Sequence, residues 1–217
     1  MIRELTEELK NKISAGEVVE RPSSVVKELL ENSLDANANE ISIILEKGGH
    51  QLIQVTDNGH GISQNDLPIA FNRYSTSKIK DFDDLFSISS LGFRGEALAS
   101  IASVSEVKIL SSDGSGEGYE LFVKNGEADD LIPAPSLKGT SISIKNLFYN
   151  TPARKKFLKS PRVELRKVVE IVRRYALGYP DCEFNLISDD RDILKLESEN
   201  LESRIVHVMD PAYRSQL

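Results

Sequence analysis

The amino-acid sequence predicts an α+β fold, a two-layer α/β sandwich in which helices pack on one face of a mixed, mainly antiparallel sheet. Two patterns support this prediction. Helical periodicity occurs early, over residues 22–36, and late, over residues 151–178. Between and after these segments lie short runs rich in β-branched and apolar residues, separated by Gly, Asp and Pro, as in strands joined by tight turns.

The composition is that of a globular chain with a sizeable core. Of the 217 residues, 40% are hydrophobic and 28% are charged, and the formal net charge is −7. No apolar run approaches the ~18 residues that a membrane-spanning helix needs, and the N-terminus is polar and acidic, unlike a signal peptide. We therefore expect a cytoplasmic protein, nucleoid-associated if bacterial or nuclear if eukaryotic, with no membrane partner.

The few cysteines and histidines limit the possible chemistry. Cys182 is the single cysteine, so an internal disulfide is impossible, and we expect this thiol in the core rather than as a nucleophile. His50, His60 and His207 lack ligand spacing from one another and from Cys182, which argues against a structural zinc site. Any metal would then be bound by oxygen ligands.

The first half of the chain is predicted to form a helix and a hairpin. Pro22 suits the first turn of a helix, and the helical pattern extends to about Ala36. Two β-rich runs follow, at residues 41–45 and 51–56, and the short Gly-Gly connection between them indicates a hairpin that leads to Asp57. Residues 63–90 mix short helical pieces with loop, and residues 91–103 pass from a Gly-rich loop into a helix.

The second half is predicted to add strands and a basic helix. The strands are expected at residues 106–110, 119–124 and 140–144, with a further pair within residues 183–197. Thr151 and Pro152 suit the N-cap and first turn of a basic helical stretch that ends at Gly178. We divide the chain into an N-terminal arm (1–20), one domain (21–200) and the start of a truncated second domain (201–217).

One face of the first predicted helix is acidic. The residues on this face are Glu28, Glu31, Asn32 and Asp35. A solvated surface would have the same pattern, but Asn32 is unusual in a helix interior because its amide competes for backbone hydrogen bonds. An amide oxygen one turn from a carboxylate suits Mg²⁺, and Glu28 could orient and deprotonate an attacking water.

The strand end at Asp57-Asn58-Gly59 is compatible with a tight turn or with a ligand site. The second glycine, Gly61, favours a site. Two glycines let a planar ligand approach the backbone, and Asp57 could accept a hydrogen bond from an exocyclic amine such as that of adenine.

Three further segments have less specific patterns. In Leu91–Leu98, two glycines precede a predicted helix, where free backbone N–H groups attract phosphate, although a hinge would look the same. Thr76-Ser77-Lys78 offers hydroxyls and one ammonium to phosphate or to a helix cap. Lys138-Gly139-Thr140 is typical of a strand entry.

Taken in order, these segments resemble the four motifs of the GHKL superfamily of ATP-binding proteins, and most closely the N-terminal ATPase region of the MutL family of DNA mismatch-repair proteins. The segments that carry the resemblance are Ala15–Pro22, Glu28–Ala36, Asp57–Ile62, Thr76–Lys78, Leu91–Leu98 and Phe148–Arg154. The resemblance implies the GHKL (Bergerat) fold, ATP and Mg²⁺ as cofactors, and slow ATP hydrolysis that drives conformational switching.

The resemblance also implies roles for individual residues. Glu28 would be the general base, Asn32 the Mg²⁺ ligand and Asp57 the adenine-binding carboxylate. The other implied nucleotide contacts are Gly59 and Gly61 near the base, Thr140 at the adenine end, Thr76, Ser77 and Lys78 on the phosphate side, and Gly92, Phe93, Arg94, Gly95, Glu96, Ala97 and Leu98 in a lid over the triphosphate. ATP would order this lid together with the arm at residues 1–20, and two ATPase heads would then dimerise.

Two further expectations follow from the resemblance. The family uses a lysine from a second lobe to reach the γ-phosphate, and the chain ends where that lobe would begin, so we expect nucleotide binding with poor hydrolysis. A MutS-type mismatch-recognition protein is the implied protein partner.

The basic stretch allows a second partner. Residues 151–178 contain nine lysines and arginines against two glutamates, a local net charge of +7. This stretch could bind DNA phosphates weakly and without sequence preference, or it could be a solvated helix face.

Three other functions compete with this interpretation: a topoisomerase-like ATPase, a histidine-kinase-like phosphotransferase and an interaction module that has lost nucleotide binding. Glu28 favours hydrolysis over phosphotransfer. The Phe148–Arg154 segment favours MutL over a topoisomerase, and the presence of both Asn32 and Asp57 disfavours a module without nucleotide.

Overall fold

The structure, a computed structural model, describes residues 6, 15–16, 18–79, 83–86, 90–135 and 137–209. Its helices are α1 (Pro22–Asp35), α2 (Ala97–Ser103), α3 (Pro152–Phe157), α4 (Pro161–Gly178) and α5 (Leu201–Val208), with 3₁₀ turns at Lys47–Gly49, Ile69–Phe71 and Asp83–Phe86. Its strands are β1 (Glu40–Glu46), β2 (Leu52–Asp57), β3 (Glu106–Ser112), β4 (Gly118–Lys124), β5 (Glu127–Ala128), β6 (Ile132–Ala134), β7 (Gly139–Lys145), β8 (Glu183–Ser188) and β9 (Arg191–Leu196).

The strands form one sheet in the order β5-β4-β3-β7-β2-β1-β8-β9, and β6 also pairs with β4. The described pairings are antiparallel apart from β1 with β8, which is parallel. This confirms the predicted mixed, mainly antiparallel sheet. It also places the end of β2 at the centre of the sheet, where Asp57 lies opposite Thr140 of β7.

The two faces of the sheet differ in polarity, as a two-layer fold requires. Alternate residues of the central strands, such as Ile43, Ile53 and Val55, are buried under the helices. On the opposite face, polar side chains pair across strands: the Thr56 and Ser141 hydroxyls lie 2.8 Å apart, and Lys108 and Glu120 form an ion pair of 2.8 Å. This confirms that the helices cover one face.

Helices α1 and α4 form the centre of the helical layer and pack against each other. The apolar side of α1 is buried, including Val26, Leu29 and Leu30. Helix α4 begins beside the β1–β2 turn, where a Cβ added to Gly48 would lie 2.2 Å from the Pro161 carbonyl oxygen. The hairpin turn therefore fixes the start of α4 over the sheet.

The basic stretch is two helices, where the sequence pattern predicted one. Helix α3 ends at Phe157, and α4 begins at Pro161 after Ser160, whose backbone is extended (φ −59°, ψ 152°). The residue before a proline is disfavoured from helical geometry, so Ser160 stays extended and a new helix starts at Pro161. Thr151 precedes α3 as predicted, but its side chain makes no capping hydrogen bond.

The short edge strands β5 and β6 were not predicted. Each contains at most three residues and pairs only with β4 among the described strands. Such short segments carry too few residues for an alternating pattern to stand out from a loop.

Helix α5 lies in the segment predicted to begin a second domain, and over Leu201–Val208 it packs on α4. Arg204 is completely buried and donates hydrogen bonds of 2.6 to 3.1 Å to the carbonyls of Ala176, Pro180, Cys182 and Glu197. Its Nε also lies 2.8 Å from a Glu199 carboxylate oxygen. These eight residues therefore pack against the sheet domain, and the boundary at residue 200 stays a prediction.

Two further sequence expectations concern the core and the membrane. Cys182 is buried, and desolvation raises the pKa of its thiol to about 11. In the described part of the chain, every helix is too short or too polar to cross a membrane.

The buried Arg204 gives a test of the fold. Replacing it (Arg204→Ala) removes the donor for four main-chain carbonyls and should lower the free energy of unfolding by about 3–5 kcal/mol. Urea unfolding measures this loss. Arg191→Ala, at an exposed position of β9, is the control and should change stability by less than about 0.5 kcal/mol. Equal unfolding midpoints for the two variants would contradict the structural role of Arg204.

Candidate functional site

A cavity of about 1250 Å³ lies between α1, the ends of β2 and β7, and the loops at residues 75–78 and 91–96. The sequence-predicted site residues that line it are Glu28, Asn32, Asp57, Gly61, Thr76, Ser77, Lys78, Gly92, Phe93, Arg94, Gly95, Glu96, Ala97, Leu98 and Thr140. Gly59 lies outside the lining. Five separate sequence segments thus converge on one concave surface.

Asp57 is held at the end of β2 by donors from the helix and from its own turn. The Ser33 hydroxyl of α1 donates to Asp57 Oδ2 (2.8 Å), and the Gly59 N–H donates to Oδ1 (3.0 Å). Desolvation by burial raises the pKa of the carboxyl, and the hydrogen bonds from Gly59, Ser33 and Thr140 oppose this rise. The carboxylate is therefore fixed in place, yet it still borders the cavity.

The glycines near Asp57 have separate steric functions. Gly61 has φ +72°, and a Cβ there would lie 1.9 Å from the Ser112 carbonyl oxygen. Gly139 has φ +126°, and its Cβ would lie 2.1 Å from the Asp57 carbonyl oxygen. At Gly59 a Cβ would lie 2.8 Å from Ala36, so the absence of a side chain lets the turn pack on the end of α1. Gly59 therefore shapes the turn and does not border the cavity.

A hydroxyl network supports the Thr140 side of the cavity. The Thr140 and Ser111 hydroxyls lie 2.8 Å apart. Ser111 Oγ also donates to the Gly139 carbonyl (3.0 Å) and accepts from the Ile62 N–H (2.8 Å). Ser111 was not predicted, because a serine near a strand end gives no sequence signal for a ligand site.

The acidic face of α1 is tied to α4 by a set of polar contacts. Lys27 Nζ lies 3.1 Å from Glu28 Oε1 and 2.8 Å from Glu31 Oε2, and the Tyr175 hydroxyl of α4 donates to Glu31 Oε1. Burial lowers the pKa of Lys27, but hydrogen bonds and charges of Glu31 and Glu28 outweigh this and raise it. Burial and the contact with Glu31 raise the pKa of Tyr175. Glu28 therefore borders the cavity, and one of its carboxylate oxygens is paired with Lys27.

Lys27 and Tyr175 are site-forming residues that the sequence pattern did not indicate as such. Lys27 is adjacent to Glu28, so a basic neighbour of the acidic face was visible. Tyr175 is more than 140 positions along the chain from that face, and a contact at this separation leaves no local pattern.

Asn32 and Asp35 face the loop at residues 75–78. Lys78 Nζ lies 3.1 Å from Asn32 Oδ1 and 2.5 Å from Asp35 Oδ2. The Lys78 N–H donates to the Thr76 hydroxyl (3.1 Å), which shapes this loop. The amide oxygen of Asn32 thus already has a positively charged neighbour.

The loop at residues 91–96 closes the cavity on the same side. A Cβ at Gly95, where φ is +63°, would lie 2.4 Å from the Ser75 carbonyl oxygen, and the Tyr74 N–H donates to the Gly95 carbonyl (3.0 Å). The Arg94 guanidinium lies 5.7 Å from the centre of the Phe93 ring. Helix α2 then begins at Ala97.

Comparison with known proteins agrees with this arrangement. Residues 20–138 match the family described as "Histidine kinase-, DNA gyrase B-, and HSP90-like ATPase". The Aquifex aeolicus MutL ATPase domain, solved in complex with ADP, is 37% identical, with a TM-score of 0.75 over 88% of this chain and 69% of that chain. The chain belongs to the MutL family of GHKL ATPases. The predicted family and fold are therefore confirmed.

Two further matches extend the family relationship. The DNA mismatch repair protein MutL of Staphylococcus aureus (strain Newman) is 52% identical over 98% of this chain, which spans 31% of that protein's length. The crystal structure of the N-terminal domain of a DNA repair protein has a TM-score of 0.78 and 27% identity, covering 93% of this chain and 60% of that one.

The segment that favours MutL over a topoisomerase, Phe148–Arg154, joins other parts of the domain. The buried Phe148 donates its N–H to the Val104 carbonyl (2.7 Å), just after α2. The Asn150 amide donates to the Ser103 carbonyl (2.9 Å). A Cβ at Gly16 would lie 1.9 Å from Arg154 Nη2, so this MutL segment contacts both the end of α2 and the N-terminal segment.

The left-handed backbone at Gly61 gives a prediction for the site's scaffold. Gly61→Ala should lower the free energy of unfolding by at least about 2 kcal/mol, because the new Cβ meets both an unfavourable φ and a main-chain oxygen. Thermal unfolding measures the change. Gly116→Ala, where an added Cβ meets no atom within 4 Å, is the matched control. A Gly61→Ala protein as stable as this control would be inconsistent with the described turn.

Proposed function

We propose that the cavity binds ATP with Mg²⁺, that Glu28 promotes slow hydrolysis, and that nucleotide binding switches this domain of a DNA mismatch-repair protein between open and dimerised states. The observation that carries this proposal is the convergence of Glu28, Asn32 and Asp57 on one cavity. An intracellular location near DNA is part of the same proposal.

The adenine end of the proposed site is the Asp57 carboxylate. Its two oxygens already accept from Ser33 and Gly59, which fixes their orientation, and each carboxylate oxygen can accept a further hydrogen bond. An exocyclic amine would supply that donor and would offset part of the desolvation that raises the pKa of Asp57. Gly61 borders the same end of the cavity, where its left-handed backbone packs against the Ser112 carbonyl.

Asn32 is the proposed protein ligand of the magnesium ion. Its amide oxygen lies 3.1 Å from the Lys78 ammonium, so a cation can approach this oxygen from the cavity side. Among the described residues, His, Cys, Asp and Glu form no cluster of three or more that could hold a metal. A single amide oxygen such as that of Asn32 suits Mg²⁺, which commonly keeps water and substrate phosphate oxygens around one or two protein ligands. A bound ion would neutralise phosphate charge during hydrolysis.

Glu28 is the proposed general base. Its carboxylate borders the cavity one turn before Asn32, and Lys27 at 3.1 Å limits its orientations. A carboxylate in this position can orient a water molecule and accept its proton. A hydrolytic base favours an ATPase over a phosphotransferase, because transfer to a protein acceptor requires that water be excluded from the reacting phosphate.

The proposed switch involves the lid, Gly92–Leu98, and the arm at residues 1–20, of which residues 6, 15–16 and 18–20 are described. Lid residues border the cavity, and the buried Ala15 and Val19 pack into the core close by. A nucleotide can shift the open and dimerised states only through different contacts with each, and the lid and arm are the segments positioned to provide them.

The proposal includes two macromolecular partners, a MutS-type mismatch-recognition protein and DNA. Val168 and Val172 of α4 face the core, while most basic side chains of α3, α4 and the short link between them are exposed. The exposed basic residues are Lys155, Lys156, Lys159, Arg162, Arg166, Arg173 and Arg174. This arrangement supports weak, salt-dependent contact with DNA phosphates.

Two substitutions test the nucleotide site. Glu28→Ala should bind Mg-ATP like the wild type but form product about 10²–10⁴ times more slowly, since only the base is lost. Asn32→Ala should lose the part of ATP affinity that depends on Mg²⁺. Thermal shifts measure binding, and product formation with protein in excess over ATP measures the chemical step.

The control for these variants is Glu170→Ala, on the exposed side of α4, which should leave binding and turnover unchanged. A wild-type protein without any Mg-ATP-dependent thermal shift would overturn the proposed function. Formation of a phosphorylated protein instead of free phosphate would identify a phosphotransferase.

The DNA contact is tested by its salt dependence. Affinity for duplex DNA, measured by fluorescence anisotropy, should fall between about 50 and 200 mM salt, and Arg173→Ala should reduce the salt slope by about one unit if that side chain contacts a phosphate. Arg191→Ala on β9 is the matched control. A lack of binding at the lower salt concentration would refute the contact.

A further inference from the structure

Asp35, the last residue of α1, receives donors from two separate loops. Its Oδ2 lies 2.5 Å from Lys78 Nζ, and its two oxygens accept the N–H groups of Leu91 (2.9 Å) and Gly92 (3.3 Å). Its side chain is 10% exposed. A carboxylate that accepts two backbone amides and one ammonium forms stronger hydrogen bonds than a neutral acceptor would.

The two loops also contact each other. The tight packing of Gly95 on Ser75 and the hydrogen bond from Tyr74 to Gly95 join the loop at 75–78 to the loop at 91–96. The two loops are therefore packed against each other, and Asp35 connects both of them to α1.

The position of Asp35 on α1 matters for the proposed chemistry. Asn32 precedes it by three residues and Glu28 by seven, so all three project from the same side of the helix. A bond from Asp35 to the loops consequently fixes the distance between those loops and the helix-borne residues. Lys78 contacts both Asn32 and Asp35, and if another cation takes the Asn32 oxygen, Asp35 still holds the ammonium at this side of the cavity.

We propose that Asp35 is a positioning residue, which holds Lys78 and the start of the lid at the phosphate side of the cavity. This inference rests on the proposed nucleotide-binding function and adds to it a residue with no role in the nucleotide contacts described above. Asp35 acts through Lys78 and through the Leu91 and Gly92 amides.

The test is Asp35→Asn in the 217-residue chain, with three measurements. Hydrogen exchange of the Leu91 and Gly92 amides in the nucleotide-free protein should become faster by about tenfold or more. The reason is that one of the two accepting oxygens of Asp35 is replaced by an NH₂ group, which donates and cannot accept. Mg-ATP affinity should fall by about tenfold. Affinity for adenosine, which lacks phosphates, should stay within about twofold of the wild type. Isothermal calorimetry gives both affinities.

Two further variants separate this role from general stability. Asp189→Asn is the matched control, since Asp189 Oδ1 accepts the Lys47 N–H (2.8 Å) in a turn away from the cavity, and it should change none of the three measurements. Lys78→Met should lower Mg-ATP affinity and spare adenosine, while exchange at Leu91 and Gly92 stays slower than in Asp35→Asn. If Asp35→Asn does not fold, Lys78→Met carries the affinity test alone.

Several outcomes would overturn the inference. Wild-type exchange and wild-type Mg-ATP affinity in Asp35→Asn would do so. Equal losses of adenosine and Mg-ATP affinity, in Asp35→Asn or in Lys78→Met, would indicate a purely structural residue. A wild-type protein that binds neither compound would instead overturn the proposed function, and with it the role of Asp35, so the two failures are distinguishable.

Discussion

The burial of one side of α1 against the sheet is the constraint on which the site depends. Val26, Leu29 and Leu30 are each at most 1% exposed, so the rotation of the helix is fixed by the core. Because side chains three and four residues apart share a face, that rotation directs Glu28, Asn32 and Asp35 together toward the cavity. The acidic face is thus turned into a cavity by the same apolar contacts that stabilise the fold.

The sheet contributes a second constraint through the register of β2 and β7. Asp57 pairs with Thr140, and Gly139 passes so close to the Asp57 carbonyl that a Cβ would lie 2.1 Å from it. A shift by one residue would turn Asp57 to the opposite face, away from Ser33. The hydrogen bond from Ser33 then joins helix and sheet where both border the cavity. Core packing places the helix groups, and strand register places the carboxylate.

Local patterns in the sequence were enough for α1 and the central strands, because periodicity and glycine position report on individual elements. The convergence of the motifs on one site was implied by the resemblance to the GHKL family. They were insufficient in two places. The break at residues 158–160 includes Ser160, which Pro161 keeps out of helical geometry although the sequence pattern on both sides is helical. The contacts of Lys78 with Asn32 and of Tyr175 with Glu31 join distant segments, and such contacts follow from tertiary packing that no local window contains.

Helix α4 connects the basic surface of the protein to the acidic face of α1. This helix buries Val168 and Val172, exposes Arg173 and Arg174, and directs the Tyr175 hydroxyl at Glu31. Glu31 in turn contacts Lys27, which contacts Glu28. Three successive contacts therefore link a basic outer surface to the proposed base. Coupling along such a chain requires an element with two arrangements. Because Val168 and Val172 anchor α4 in the core, the contacts of the Tyr175 and Lys27 side chains are the links that a change at the outer surface would have to alter before it reached Glu28.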